Sequence, residues 1–92
     1  MRSLSLSTLA VVSFIGLSGT AAQAQSCGDL WYERNAIYKQ YGYCFRTSRA
    51  IRQFGNAGCQ YDNPRDLRMS RGDRARIDRI VREERAMGCR DN

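Results

Sequence analysis

Histidine is absent from this chain. Its absence removes the commonest general base and the commonest metal ligand together. Close cysteine pairs are absent as well: Cys27, Cys44, Cys59 and Cys89 stand 17, 15 and 30 residues apart. A four-thiolate zinc site and a dithiol redox catalyst both rest on CxxC spacing, so neither is indicated. The carboxylates Asp29, Glu33, Asp62 and Asp66 show no spacing that would pair them for acid–base work. No segment alternates as a strand does, and there are neither repeats nor low-complexity tracts. Together these absences predict a noncatalytic protein with no cofactor and no metal.

What the chain does contain begins with the three parts of a signal peptide in residues 1–24. Arg2 and the amino terminus give a positive start, Leu9 to Leu17 is apolar, and Ala22-Gln23-Ala24 offers small residues to a signal peptidase. The apolar run is about half the roughly 20 residues that a membrane span needs, so no span is expected after processing. Cleavage after Ala24 leaves residues 25–92, one domain of 68 residues. Cys27 raises a lipoprotein alternative, but Ala24-Gln25-Ser26 lacks the leucine and the small residue usual before a lipidated cysteine.

All four cysteines follow the leader. An even count in a short exported chain reads as a disulfide framework, expected where a small core buries too little apolar surface to outweigh chain entropy. Periodicity predicts an all-α fold: a small three-helix domain with irregular loops, stapled by two disulfides. The first helix is expected from near Asp29 to Tyr41, with Leu30, Ile37 and Tyr41 on one side and Trp31 and Tyr38 widening that face; Gly42 ends it. A short second helix starts after Thr47 and ends at Gly55, with Ile51 and Phe54 turned inward. Gly55-Asn56-Ala57-Gly58 signals a turn, and Asp62-Asn63-Pro64 opens a loop reaching Met69. The third helix starts at a capping-box-like Ser70–Asp73 pair, carries Ile77, Ile80, Val81 and Met87 as its apolar stripe, and stops at Gly88. Its flanks place Arg74–Asp78, Asp78–Arg82 and Arg79–Glu83 at i,i+4 spacing.

Two charges fall on faces that should be buried, Arg34 on the first helix and Glu84 on the third. An unpaired charge there would cost several kcal/mol, which a mutually hydrogen-bonded pair largely cancels, so the two are predicted to meet. Geometry also prunes the cystines. Cys27 and Cys44 flank a helix of about 20 Å, whereas a disulfide needs Cα atoms within about 7 Å. Two connectivities remain. Cys44–Cys59 with Cys27–Cys89 requires antiparallel first and third helices; Cys27–Cys59 with Cys44–Cys89 requires parallel ones. The first is preferred because it closes a local loop and clips the termini together.

The segment Leu30 to Phe45, LWYERNAIYKQYGYCF, resembles the signature of the YARHG domain family, small bacterial extracytoplasmic domains named for a tyrosine-to-glycine pentapeptide. The matching pentapeptide is Tyr38-Lys39-Gln40-Tyr41-Gly42, preceded by Arg34-Asn35 and followed by Tyr43 and Phe45. Only its ends are kept, so any role the family draws from its histidine is absent. The likeness continues more loosely to Leu67 and to the Ser70–Glu84 helix. The resemblance implies a cell-envelope binding role and nothing more specific. Structural duties are expected beside it: Asn35, off the apolar face, bonding the loop after Gly42; Tyr38 packing; Tyr43 and Phe45 returning the chain to the core.

With Arg2 removed, 14 basic side chains face 9 acidic ones, and 13 of the 14 are arginine. Arg46, Arg49 and Arg52 share one side of the second helical stretch and form a candidate anion-binding set. The same arginines also read as a plain solvated surface. Export argues against a nucleic-acid partner. The functional expectation is a periplasmic or secreted, noncatalytic, envelope-associated binding or structural module whose partner is an anionic envelope component or an envelope protein. The alternative is a protein-interaction module or secreted inhibitor displaying the 60–69 loop.

Overall fold

A computed structural model describes residues 25–90; the leader reading, residues 1–24, lies outside the described residues. Among the described residues there are three α-helices, α1 Cys27–Gln40, α2 Ser48–Phe54 and α3 Arg71–Ala86, and a 3-10 turn at Pro64–Asp66. One isolated parallel bridge, Tyr43 to Tyr61, is the nearest approach to a strand among the described residues.

Each helix begins where its side chains satisfy the first free N–H groups. Ser26 accepts from the Asp29 N–H while the Asp29 carboxylate accepts from the Ser26 N–H, so α1 starts two residues earlier than expected. Thr47 caps α2 through the Ala50 N–H, and Ser70 caps α3 through the Asp73 N–H. The reciprocal half of the α3 box is altered. The Tyr41 hydroxyl stands between its members, accepting from the Ser70 N–H at 3.3 Å and donating to Asp73 Oδ2 at 2.6 Å. Tyr41, the C-cap of α1, thereby ties the end of that helix to the start of α3.

Helices α1 and α3 end alike. At α1 the Gly42 N–H bonds the Lys39 carbonyl and the Tyr43 N–H bonds the Tyr38 carbonyl. At α3 Gly88 and Cys89 bond the Arg85 and Glu84 carbonyls in the same pattern. Such closures require a positive φ at the first residue past the cap, met by Gly42 at 86° and Gly88 at 72°. The first closure lays the Tyr43 ring on that of Tyr38, 5.6 Å between centroids. The second delivers Cys89 to Cys27, the first residue of α1.

Helix α1 is buried on two sides. Leu30 and Ile37 pack with Ile77 and Ile80 of α3, while Trp31 packs with Phe45 and Ala50. Tyr38 borders both clusters. Burial of each such large side chain is worth about 1.5–3 kcal/mol. The cystines are Cys27–Cys89 and Cys44–Cys59, the connectivity that demands antiparallel α1 and α3. With its sulfur in a cystine, Cys27 has no thiol for a lipid, so this fold is incompatible with the lipoprotein alternative.

Four expectations are corrected. Ile51 is 41 % exposed; Ala50 and Phe54, four apart, face α1 instead, because bulky Trp31 takes a small partner. Met87 is 49 % exposed, since it caps α3 just where the chain turns away from the stripe. Asn35 is buried and bonds the Trp31 carbonyl, not the loop after Gly42. None of the three i,i+4 pairs on α3 closes to ion-pair distance among the described residues; Arg76 instead reaches Glu33 on α1 at 3.1 Å and Asp73 at 3.9 Å. Pairing along a single solvated face gains only a few tenths of a kcal/mol, too little to hold such side chains together.

Candidate functional site

The Tyr43–Phe45 segment crosses α1 at the level of Tyr38 and is fixed by main-chain pairing on one edge and by a side chain on the other. The Gly42 carbonyl accepts from the Gln60 and Tyr61 N–H groups at 2.7 and 3.0 Å, and the Cys44 N–H donates to the Tyr61 carbonyl at 2.7 Å. The Cys44–Cys59 cystine locks the same pair of segments. On the other edge Asn56 acts as a strand would: its Oδ1 accepts from the Phe45 N–H at 2.7 Å and its Nδ2 donates to the Phe45 carbonyl at 3.0 Å. In sequence Asn56 reads only as a turn residue. Its pairing role is invisible until Phe45, 11 residues away, is seen beside it.

Between this segment, α1 and the start of α2 lies a cavity of about 230 Å³, walled by Trp31, Asn35, Tyr38, Tyr43, Phe45 and Arg46. Arg34 also lines it. The residues singled out around the pentapeptide, Arg34, Asn35, Tyr38, Tyr43 and Phe45, therefore converge on one place, although they span two elements. Gly42 does not line this cavity; it supplies the reversal that brings Tyr43 and Phe45 back to α1. Tyr43 meets Phe45 edge-on, with centroids 5.1 Å apart, and Phe45 stacks in turn on Phe54 behind it at 5.3 Å.

Arg34 and Glu84 meet as expected. Nε to Oε1 is 2.8 Å and Nη2 to Oε2 is 3.0 Å, a two-pronged fork between α1 and α3. The side chains are 17 % and 11 % exposed. Arg34 also bonds the Tyr38 side chain. Burial pushes the Tyr38 phenol above its ordinary value, and the opposing charge and hydrogen bond of Arg34 do not cancel that effect. Tyr38 therefore remains a protonated hydroxyl at neutral pH.

Asn35 is 7 % exposed. Its Nδ2 donates to the Trp31 carbonyl at 2.9 Å. Because a carbonyl only accepts, that bond fixes the amide orientation and leaves Oδ1 as the other arm. No donor reaches Oδ1 among the described residues. A buried acceptor without a partner costs about 1–3 kcal/mol.

The candidate anion-binding arginines divide. Arg46 lines the cavity and donates to the Asp62 carbonyl at 3.3 Å, linking it to the 60–69 loop. Arg49 lies with its guanidinium carbon 3.7 Å from the centre of the Trp31 ring, a cation–π contact. Arg52 is exposed and has no hydrogen bond or ion pair among the described residues. All three remain exposed, but two of them hold structure together as well.

Three larger recesses surround the fold. A groove of about 440 Å³ is lined by Lys39, Tyr41, Tyr43, Tyr61 and Arg68; one of about 360 Å³ lies on the far side of Arg34 and Glu84; one of about 580 Å³ lies along Tyr32, Glu33 and Arg76. None is lined by a buried polar side chain lacking a partner among the described residues. Among those residues no group of three or more His, Cys, Asp or Glu is positioned to hold a metal ion.

Fold and site together define a small all-α, cystine-stapled domain whose motif residues enclose an aromatic cavity. The sequence profile of the YARHG domain matches residues 16–85. The chain belongs to the YARHG domain family. No curated protein and no solved structure matches it. The family and the two disulfides fit an extracellular location, and no helix among the described residues is long and apolar enough to cross a membrane.

Proposed function

We propose that the protein is exported, released from its leader after Ala24, and works in the periplasm or outside the cell as a noncatalytic envelope-associated binding module. The observation that carries this reading is the convergence of the motif residues on one aromatic cavity that the exposed Arg46 lines, with exposed Arg49 over its Trp31 wall and exposed Arg52 on the same helix as Arg49. Noncatalytic action is supported by the absence of histidine and by the duties of the carboxylates. Asp29 and Asp73 serve helix starts, Glu33 meets Arg76, and Glu84 is held by Arg34. The partner is an anionic envelope component engaged through the arginine face.

The test is capture of the partner from envelope extracts on the oxidised protein, at low and high salt. Salt-sensitive capture that falls when Arg46, Arg49 and Arg52 are changed to Gln supports the reading, because exposed charges are screened over about 8–10 Å near physiological ionic strength. Capture indifferent to both would remove it. A second reading, a protein partner gripped by the 60–69 loop, is supported by the exposed 3-10 turn, which Asn63 caps and buried Leu67 anchors. That reading predicts loss on replacing Asp62 to Asp66 and little effect of salt.

A further inference from the structure

The motif cavity holds a polar atom that the fold itself does not satisfy. Asn35 is buried and lines the cavity, its amide is oriented by the Trp31 carbonyl, and its Oδ1 has no donor among the described residues. What enters must therefore donate a hydrogen bond at this point. Near the mouth stands Arg46, whose guanidinium spends one N–H group on the Asp62 carbonyl and has others to give. What enters must also accept. The Tyr38 hydroxyl, bonded by Arg34, retains its own proton to donate.

These demands sort the ligand classes by charge. A simple anion would meet Arg46 but present lone pairs to Asn35 Oδ1. A simple ammonium would satisfy Asn35 but face the cationic Arg34 and Arg46. A hydroxyl group does both, since it donates one hydrogen and accepts on two lone pairs. The remaining walls, Tyr38, Tyr43 and Phe45, offer aromatic surface to an apolar face carrying such hydroxyls. At about 230 Å³ the cavity is smaller than the roughly 300–1,000 Å³ that houses a drug-sized ligand, so it suits a single ring.

We propose that this cavity is a carbohydrate subsite that takes one neutral pyranose unit, with a sugar hydroxyl donating to Asn35 Oδ1, another accepting from Arg46, and the C–H face against Tyr38, Tyr43 and Phe45. The assignment rests on the reading of the domain as a binding module and names the chemistry of its pocket. The arginine face beside it then engages the charged parts of the same envelope polymer.

The chain carries its own reporter, because Trp31, its single tryptophan, lines the cavity. The full-length protein, expressed with its leader and purified with both cystines formed, is titrated with glucose and with N-acetylglucosamine. Trp31 fluorescence and amide NMR shifts are followed. The expected result is a saturable response at millimolar sugar centred on the Asn35 side-chain amide and the Tyr38 and Phe45 backbone amides. Arg46→Ala, on the surface, weakens it about tenfold; Asn35→Leu, of similar size, abolishes it. If Asn35→Leu does not fold, Arg46→Ala remains decisive.

Sulfate, which carries no O–H at neutral pH, and methylammonium serve as the purely anionic and purely cationic probes, and neither saturates the cavity. No saturable response to either sugar at concentrations on the order of 100 mM, far above millimolar dissociation constants, would mean that water alone satisfies Asn35 and would overturn the assignment. So would shifts mapping outside the cavity, affinity unchanged by Arg46→Ala, or saturation by sulfate or methylammonium. Salt-sensitive envelope capture persisting without a sugar response sinks this assignment alone. A sugar response without envelope capture sinks the arginine-face reading alone.

Discussion

Replacing Glu84 by Gln leaves the Arg34 guanidinium in place with its two-pronged partner neutralised. Arg34 is 17 % exposed and lies between α1 and α3, so water replaces only part of what the carboxylate supplied. Breaking a buried pair from one side costs about 3–5 kcal/mol. The residual exposure places this pair at the lower end, about 3 kcal/mol. In a domain of this size each kcal/mol moves the melting temperature by about 4–8 °C, which makes the expected drop about 12–24 °C. Arg34→Met should cost a comparable amount. The double variant Arg34→Met, Glu84→Leu should recover most of the loss, because no charge is then left without a partner and the apolar stripe of α3 becomes continuous. Thermal and urea unfolding of the oxidised proteins by circular dichroism supplies the cycle. If Glu84→Gln costs less than about 1 kcal/mol, or the double variant loses the sum of the singles, the pair behaves as a surface salt bridge and the reasoning fails.

Replacing Cys27 and Cys89 by Ser, which opens a 62-residue separation, should cost about 4 kcal/mol on the chain-entropy account, against about 3 for the 15-residue Cys44–Cys59 loop. The reverse order in urea unfolding would refute the entropic argument. Tyr41→Phe removes the hydroxyl between Ser70 and Asp73 and should cost about 0.5–1.5 kcal/mol, with faster hydrogen exchange at the first amides of α3. Unchanged exchange there would rule out the bracing role. Tyr38 has its phenol raised above the ordinary 10.0, chiefly by burial. The folded state then holds this proton more tightly than the unfolded one, so its stabilising effect is intact below pH 10 and is lost as pH climbs through the raised value. An ultraviolet phenol titration should show a late step that vanishes in Tyr38→Phe and moves higher in Arg34→Met, where the opposing cation is gone. A late step untouched by either change would contradict the assignment.

Much of the fold is legible in the chain because its signals are local. Thr47 and Ser70 announce helix starts, Gly42, Gly55 and Gly88 announce ends, and the Ile77–Ile80–Val81 stripe names the face of α3 that α1 covers. The Arg34–Glu84 meeting was accessible through cost alone, since two inward charges on facing helices have one inexpensive arrangement. Met87 faces outward for a local reason, its place at the cap of α3, but the other misread residues depend on segments distant in sequence. Ile51 points outward because Trp31 takes Ala50. Asn35 looks like a surface polar residue until α1 is seen to be covered on two sides, which no single-face wheel represents. Asn56 and the Tyr41 hydroxyl bond partners 11 and 29 to 32 residues away. Short-range periodicity carries no information at such separations.

Read alone, the sequence determined the stabilisation strategy of this protein: an even set of cysteines that reads as a disulfide framework, helices with marked ends, and a core too small to stand on apolar burial alone. The tertiary structure decided where chemistry can occur. Only when Gly42 reverses the chain, and the Cys44–Cys59 link and Asn56 hold the returning segment, do Tyr43, Phe45 and Arg46 close over α1 beside Asn35, whose side-chain oxygen has no donor among the described residues. Backbone preferences act over a few residues and can be read in order. A binding cavity is an arrangement of surfaces from separate segments, and its shape and its unmet hydrogen bond exist only after those segments have packed.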